Sequence, residues 1–209
     1  MKVNEHDVLL VVDVQNDFCP GGALAVAGGD EVVAPIHRAA SWFEHIVLTQ
    51  DWHPHDHSSF APEHPGRQPF ESIQMPYGAQ TLWPAHCVQG SKGAEFHPTL
   101  HLPQAELILR KGFHRDVDSY SVFFENDRVT STGLAGYLRE RGLTRVFLAG
   151  LAYDYCVAYS ALDARRLGLP VVVLRDACRA IDLEGSTAKA GADFVRTGVQ
   201  IIESGQICA

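Results

Sequence analysis

Residues 8–14 read VLLVVDV, five aliphatic side chains in a row followed by a carboxylate. An apolar run this short, rich in β-branched residues, reads as a strand buried on both faces. Five more stretches share its character: IVLTQ at 46–50, ELILRK at 106–111, RVFLAG at 145–150, PVVVLRD at 170–176 and VQIIES at 199–204. Between most of them lie segments of helical period with recognisable ends. Asp30 precedes VVAPIHRAASWF, Thr130–Thr132 precede a segment stopped by Gly142, Asp154 precedes one stopped by Gly168, and Ser186 precedes one stopped by Gly198. Alternating strand and helix implies an α/β fold, a three-layer α/β/α arrangement around a six-stranded, mainly parallel, Rossmann-like sheet.

The remaining composition narrows the class. A chain of 209 residues, 46% apolar and 20% charged, has the make-up of one soluble globular domain spanning 1–209. Seventeen Lys and Arg against 25 Asp and Glu leave a net charge of -8, which argues against a nucleic-acid partner. Val8–Val12 is far shorter than the roughly 20 apolar residues of a membrane span, and no signal-peptide pattern is visible, so the expectation is a cytoplasmic protein with no membrane partner. A homo-oligomer stays open. Five cysteines, an odd number without a CxxC pair, argue against a disulfide framework.

The connection 51–105 breaks the rhythm, with many Pro, Gly and His but no convincing strand or long helix, and a segment of that length inside a compact domain is usually functional. It carries seven of the eleven histidines. DWHPHDHSSF sets Asp51, His53 and His57 directly after the second strand, and His86 follows in LWPAHC. One carboxylate with two or three imidazoles suits one divalent transition metal ion with open positions, with zinc, iron and manganese all admissible. His55 alternates with His53 and His57 and is not excluded by composition.

In an open parallel sheet, ligands bind beyond the carboxyl ends of the strands. Asp13 closes the first strand, Lys111 the third, and Cys156 lies just beyond the fourth, two residues past Asp154 as helix N-cap. A cysteine in a first helical turn is expected to have a lowered pKa and to serve as a nucleophile. A carboxylate at the end of a buried strand needs a partner, for which Lys111 is the candidate. The plainer alternatives are a small core residue for Cys156 and a structural salt bridge for Asp13 and Lys111. Cys19, Cys87, Cys178 and Cys208 lack such a setting and read as structural.

Together, VVDVQNDFCPGGALAV (11–26), DWHPHDHSSF (51–60), LWPAHCVQGSKGAEFHP (82–98), Lys111–Gly112 with DSYSVF (118–123), and GLAYDYCV (150–157) resemble the nicotinamidase/pyrazinamidase group of the isochorismatase-like cysteine hydrolase family. The resemblance spans nearly the whole chain. It implies a catalytic triad of Asp13, Lys111 and Cys156, and metal ligands Asp51, His53, His57 and His86, leaving out His55. It further implies an oxyanion hole from the N–H groups of Ala152 and Cys156, with a cis peptide between Leu151 and Ala152. Phe18 and Trp83 would flank an aromatic substrate, with Tyr120 lining the pocket. The implied substrate is the small molecule nicotinamide, hydrolysed within NAD salvage, with pyrazinamide as an analogue. Tyr153 departs from the smaller Thr common in the family and bears on pocket size. Relatives acting on isochorismate or other amides share the fold but lack the metal set; a non-catalytic metal-binding protein is the other alternative.

Overall fold

The computed structural model describes residues 1–208. Six parallel strands form one sheet: β1 (Asp7–Val12), β2 (His45–Asp51), β5 (Leu107–Lys111), β6 (Arg145–Leu151), β7 (Val171–Arg179) and β8 (Gln200–Ile202), in the order β5-β2-β1-β6-β7-β8. Side chains alternate between its faces, so β1 feeds two cores. Leu9 and Val11 pack toward α1 (Val33–Ala40), while Val8, Leu10 and Val12 pack toward α2 (Leu134–Glu140), α3 (Ala158–Arg166) and α4 (Ser186–Thr197). The three-layer α/β/α architecture is therefore as expected, with every pairing in this sheet parallel.

Three local expectations are corrected. The connection 51–105 does contain strands, a hairpin of β3 (Ser72–Met75) and β4 (Gly78–Thr81) paired antiparallel. Its sequences SIQM and GAQT are too short and polar to show a period-2 apolar pattern, and this hid them. Asp30 does not open α1 directly, because a 3-10 turn at Gly29–Val32 comes first, and the helix stops at Ala40. Asp154 is not an N-cap. It lies inside a π-helical turn, Tyr153–Val157, which leads into α3.

From β1 the chain proceeds to β2 on one side, and from β6 to β7 on the other, so the boundary between β1 and β6 is the topological switch point where such sheets bind ligands. The two strands approach closely there. At Gly150, paired with Val12, a Cβ would lie 2.0 Å from the Val12 carbonyl oxygen, and φ is 117°, open in practice only to glycine. Gly150→Ala is expected to lower unfolding free energy by more than about 2 kcal/mol in a urea titration; a loss under about 0.5 kcal/mol, the range of ordinary surface changes, would mean that the approach is not tight.

Candidate active site

β1 ends at Val12, and Asp13 adopts φ 48°, a left-handed conformation that Asp tolerates better than most residues. Asp51 and Lys111 end β2 and β5 and are direct partners across the parallel ladder. The fully buried Lys111 ammonium lies 2.9 Å from Asp13 Oδ2, and it donates to Asp51 Oδ1 at 2.5 Å, to the Ser119 carbonyl at 2.7 Å and to Cys156 Sγ at 3.6 Å. Thr49 Oγ1 donates to Asp13 Oδ1 at 2.6 Å. Asp13 Oδ2 is ion-paired with the Lys111 ammonium. Atoms of Asp13, Asp51 and Cys156 lie within 4.8 Å of one another. The structure thus brings Asp13, Lys111 and Cys156 together.

Burial raises the Asp13 carboxyl above its ordinary pKa, with Lys111 opposing and Asp51 adding to the rise. Asp51 also pays for its burial, but Lys111 and His53 outweigh that cost and hold it well below the usual carboxylate range. Burial works against the Lys111 charge too, and Asp13 and Asp51 more than offset it, so the ammonium stays protonated. The Cys156 thiol goes the opposite way from expectation: burial pushes it well up, the carboxylates of Asp13 and Asp51 add to this, and Lys111 only partly counters them. Cys156 thus rests as a thiol, and the carboxylate of Asp13 is a proton acceptor close to it.

Asp51, His53 and His86 present ligand atoms within 4.8 Å of one another. His53 Nδ1 contacts the Gly112 carbonyl at 2.7 Å and His86 Nδ1 the Pro84 carbonyl at 2.8 Å. A carbonyl only accepts, so Nδ1 carries a proton in each ring and Nε2 is the nitrogen left to face a metal. Those Nε2 atoms face Asp51 Oδ2 at 3.5 and 3.8 Å. Gly112 makes room for this: a Cβ there would lie 2.5 Å from His53 Cε1. Two imidazoles and a carboxylate with fixed tautomers fit a divalent transition metal.

His57 is not brought into that group. Its ring sits 4.2 Å from that of His53, but it clusters with His53 and Asp118. Nδ1 contacts Ser59 Oγ at 2.8 Å and Nε2 the Val117 carbonyl at 3.3 Å, and burial lowers its pKa to about 4, so the ring is neutral. His55 is exposed and belongs to neither cluster.

Phe18, Trp83 and Tyr120 line one pocket with Asp51, His86, Ala152 and Cys156, and the Leu151–Ala152 peptide is cis. Trp83 Nε1 and Gln80 Nε2 both donate to the Tyr120 hydroxyl oxygen at 3.0 Å, and Gln80 Nε2 also donates to Asp118 Oδ2 at 2.7 Å. Tyr153 does not reach the pocket. It packs on Phe194 at 5.5 Å with the Arg175 guanidinium 4.6 Å above its ring. The wall is Tyr155 instead, 4.9 Å from Trp83. Sequence reasoning missed Thr49, Gln80, Asp118, Tyr155 and Ile181; the signal for Tyr155 was its alternation with Tyr153 ahead of Cys156. Of the remaining cysteines, Cys19, Cys87 and Cys178 are buried and Cys208 is exposed, all unbonded.

Residues 7–205 match the isochorismatase domain family. The chain is 56% identical to the nicotinamidase of Acinetobacter baylyi, over 99% of this chain and 97% of that one. Among solved structures, it is similar to an Acinetobacter baumanii nicotinamidase/pyrazinamidase (TM-score 0.96, 53% identity, 97% and 98% of the two chains). It is similar also to PnC1 from L. infantum in complex with nicotinate (TM-score 0.87, 40% identity, 100% and 98%) and to the pyrazinamidase of Pyrococcus horikoshii in complex with zinc (TM-score 0.77, 36% identity, 95% and 99%).

The Lys111 charge is the element whose removal is easiest to read. Lys111→Met, measured in chelator so that no metal offsets the change, leaves two buried carboxylates without their cation. It should cost about 3–5 kcal/mol in denaturant unfolding; a cost under about 1 kcal/mol, the value of an exposed pair, would mean that solvent already screens the site.

Proposed function

The chain belongs to the isochorismatase family, and from that membership we propose that it works as a nicotinamidase, hydrolysing nicotinamide to nicotinate and ammonia through a thioester on Cys156. What carries this reading is one juxtaposition: the Cys156 thiol, held beside the Asp13 carboxylate, borders a pocket walled by aromatic rings together with Asp51 and His86 of the metal-type donor set. The similarity to nicotinamidases supports the substrate, as does the nicotinate held by the L. infantum protein.

In the mechanism, Asp13 takes the Cys156 proton on Oδ2, and the thiolate attacks the carboxamide carbon. The N–H groups of Ala152 and Cys156 stabilise the oxyanion as it forms. Protonated Asp13 gives its proton to the departing nitrogen, which leaves as ammonia. A water then attacks the thioester while Asp13 accepts its proton, and nicotinate and the thiol are released. Lys111 fixes Asp13 and keeps the cluster's charge balanced. Phe18, Trp83 and Tyr120 sandwich the ring. Asp51, His53 and His86 would hold a divalent ion, for which zinc, iron and manganese are candidates. When bound, such an ion would supply a Lewis acid for a ring nitrogen of the substrate. Pyrazinamide has the same carboxamide and a ring nitrogen in the same place, so it belongs to the same substrate class. Among the described residues no helix is long and apolar enough to cross a membrane. A cytoplasmic role in NAD salvage completes the reading.

Ammonia release from nicotinamide tests it directly: wild type should turn over, and Cys156→Ala should be inert, with a nicotinoyl adduct on Cys156 of quenched wild type by mass spectrometry. Metal uptake without ammonia release would favour a binding module. Asp13→Asn should lose at least about 10²-fold in kcat, the lower end for general acid–base catalysis, and near-normal activity would reduce Asp13 to a partner of Lys111. His53→Ala and His86→Ala should lower bound metal by elemental analysis as well as turnover; full metal content in both would move the ion elsewhere.

A further inference from the structure

We propose that Asp154 is a positioning residue that ties the turn carrying Cys156 to a loop that contributes Ile181 to the wall of the substrate pocket. The two segments follow neighbouring strands, the π turn after β6 and the loop 180–185 after β7. Asp154, almost fully buried, spends both carboxylate oxygens on that loop. Oδ1 accepts the Ile181 N–H at 3.0 Å, and Oδ2 accepts the Asp182 N–H at 2.7 Å and the Ser186 hydroxyl at 2.5 Å. Among the described residues it makes no salt bridge, so these three donors are its solvation. Hydrogen bonds to a buried ionised carboxylate are the strong kind, short and directional.

The loop needs such a tether. Asp182 and Glu184 stand at φ 57° and 51°, left-handed values uncommon for residues with side chains, and Gly185 follows at 79°. Such a run persists only where the surroundings hold it. Ile181, the first residue held, lines the pocket together with Ala152 and Cys156. One side chain, two residues from Cys156, thus sets where Ile181 stands relative to the sulfur. A carboxylate is required, because an amide would set an N–H₂ against one of the donors.

This inference rests on the pocket being the nicotinamide site, and its test separates the two. Asp154→Asn should raise KM for nicotinamide about tenfold or more, as expected when a buried charged hydrogen-bond set is broken, while kcat moves by less than about threefold. Amide hydrogen exchange over 180–186 should speed up while strands β1 and β6 keep their protection. Ser186→Ala, which removes one donor of the three, should shift KM and exchange in the same direction by less, and it carries the test if Asp154→Asn does not fold. A lowered Tm with KM unchanged in the folded variants would make the carboxylate merely structural and overturn the proposal, as would unaltered exchange over 180–186. If wild type releases no ammonia from nicotinamide, the substrate reading fails by itself, and exchange over 180–186 still decides for or against the tether.

Discussion

Lys111 is a fully buried cation, and an ion taken from water into a protein interior costs several kcal/mol unless its partners replace the lost hydration. That cost organises this molecule. The ammonium is repaid only where Asp13, Asp51 and the Ser119 carbonyl meet it, so the ends of β1 and β2 and the segment after β5 must all arrive at one point. Two carboxylates sharing one cation are not equivalent. Asp51, held down by Lys111 and His53 against its burial, remains an anion suited to a metal, whereas Asp13, raised by its burial and by the neighbouring Asp51 charge, is suited to receive a proton. Environments that separate the pKa values of neighbouring groups are how acid–base roles are assigned.

The aromatic pocket is set with similar economy. Gln80, on a hairpin strand, links the Tyr120 hydroxyl to the Asp118 carboxylate, and Trp83 donates to the same hydroxyl. Rings fixed by hydrogen bonds at their edges present their faces at little further entropic cost, which favours a flat substrate over a flexible one.

Much of this was legible in the sequence, for identifiable reasons. The six strands of the main sheet announce themselves because burial on both faces demands continuous aliphatic runs. Asp13 and Lys111 stand out because a charge at the end of such a run is anomalous, and the histidines because they crowd one connection. The polar hairpin carries no such pattern. Gln80 and Asp118 matter through contacts that only the folded chain makes. Cys156 was read as lying at a helix start, which lowers a thiol's pKa, but the depth of its burial and its two carboxylate neighbours are tertiary facts that reverse the sign. Tyr153 and Tyr155 flank Asp154 alike in sequence; only the π turn decides that the second faces the pocket.

The central pairing of the sheet is also its most remote. β1 and β6 are laid side by side from Asp7↔Arg145 to Val12↔Gly150, joining chain segments 138 positions apart, as the Arg145–Asp7 side-chain contact also does. Contacts of such long range form late, because the loop they close must be ordered before they repay it. During synthesis, a chain that has emerged through β5 already contains Asp13, Lys111 and all of the metal-type donors, but it has neither Cys156 nor a partner for the inner edge of β1. Cys156 and the strand that pairs with the inner edge of β1 therefore emerge together, so a chain stopped before β6 holds the charged groups of the cluster without its thiol.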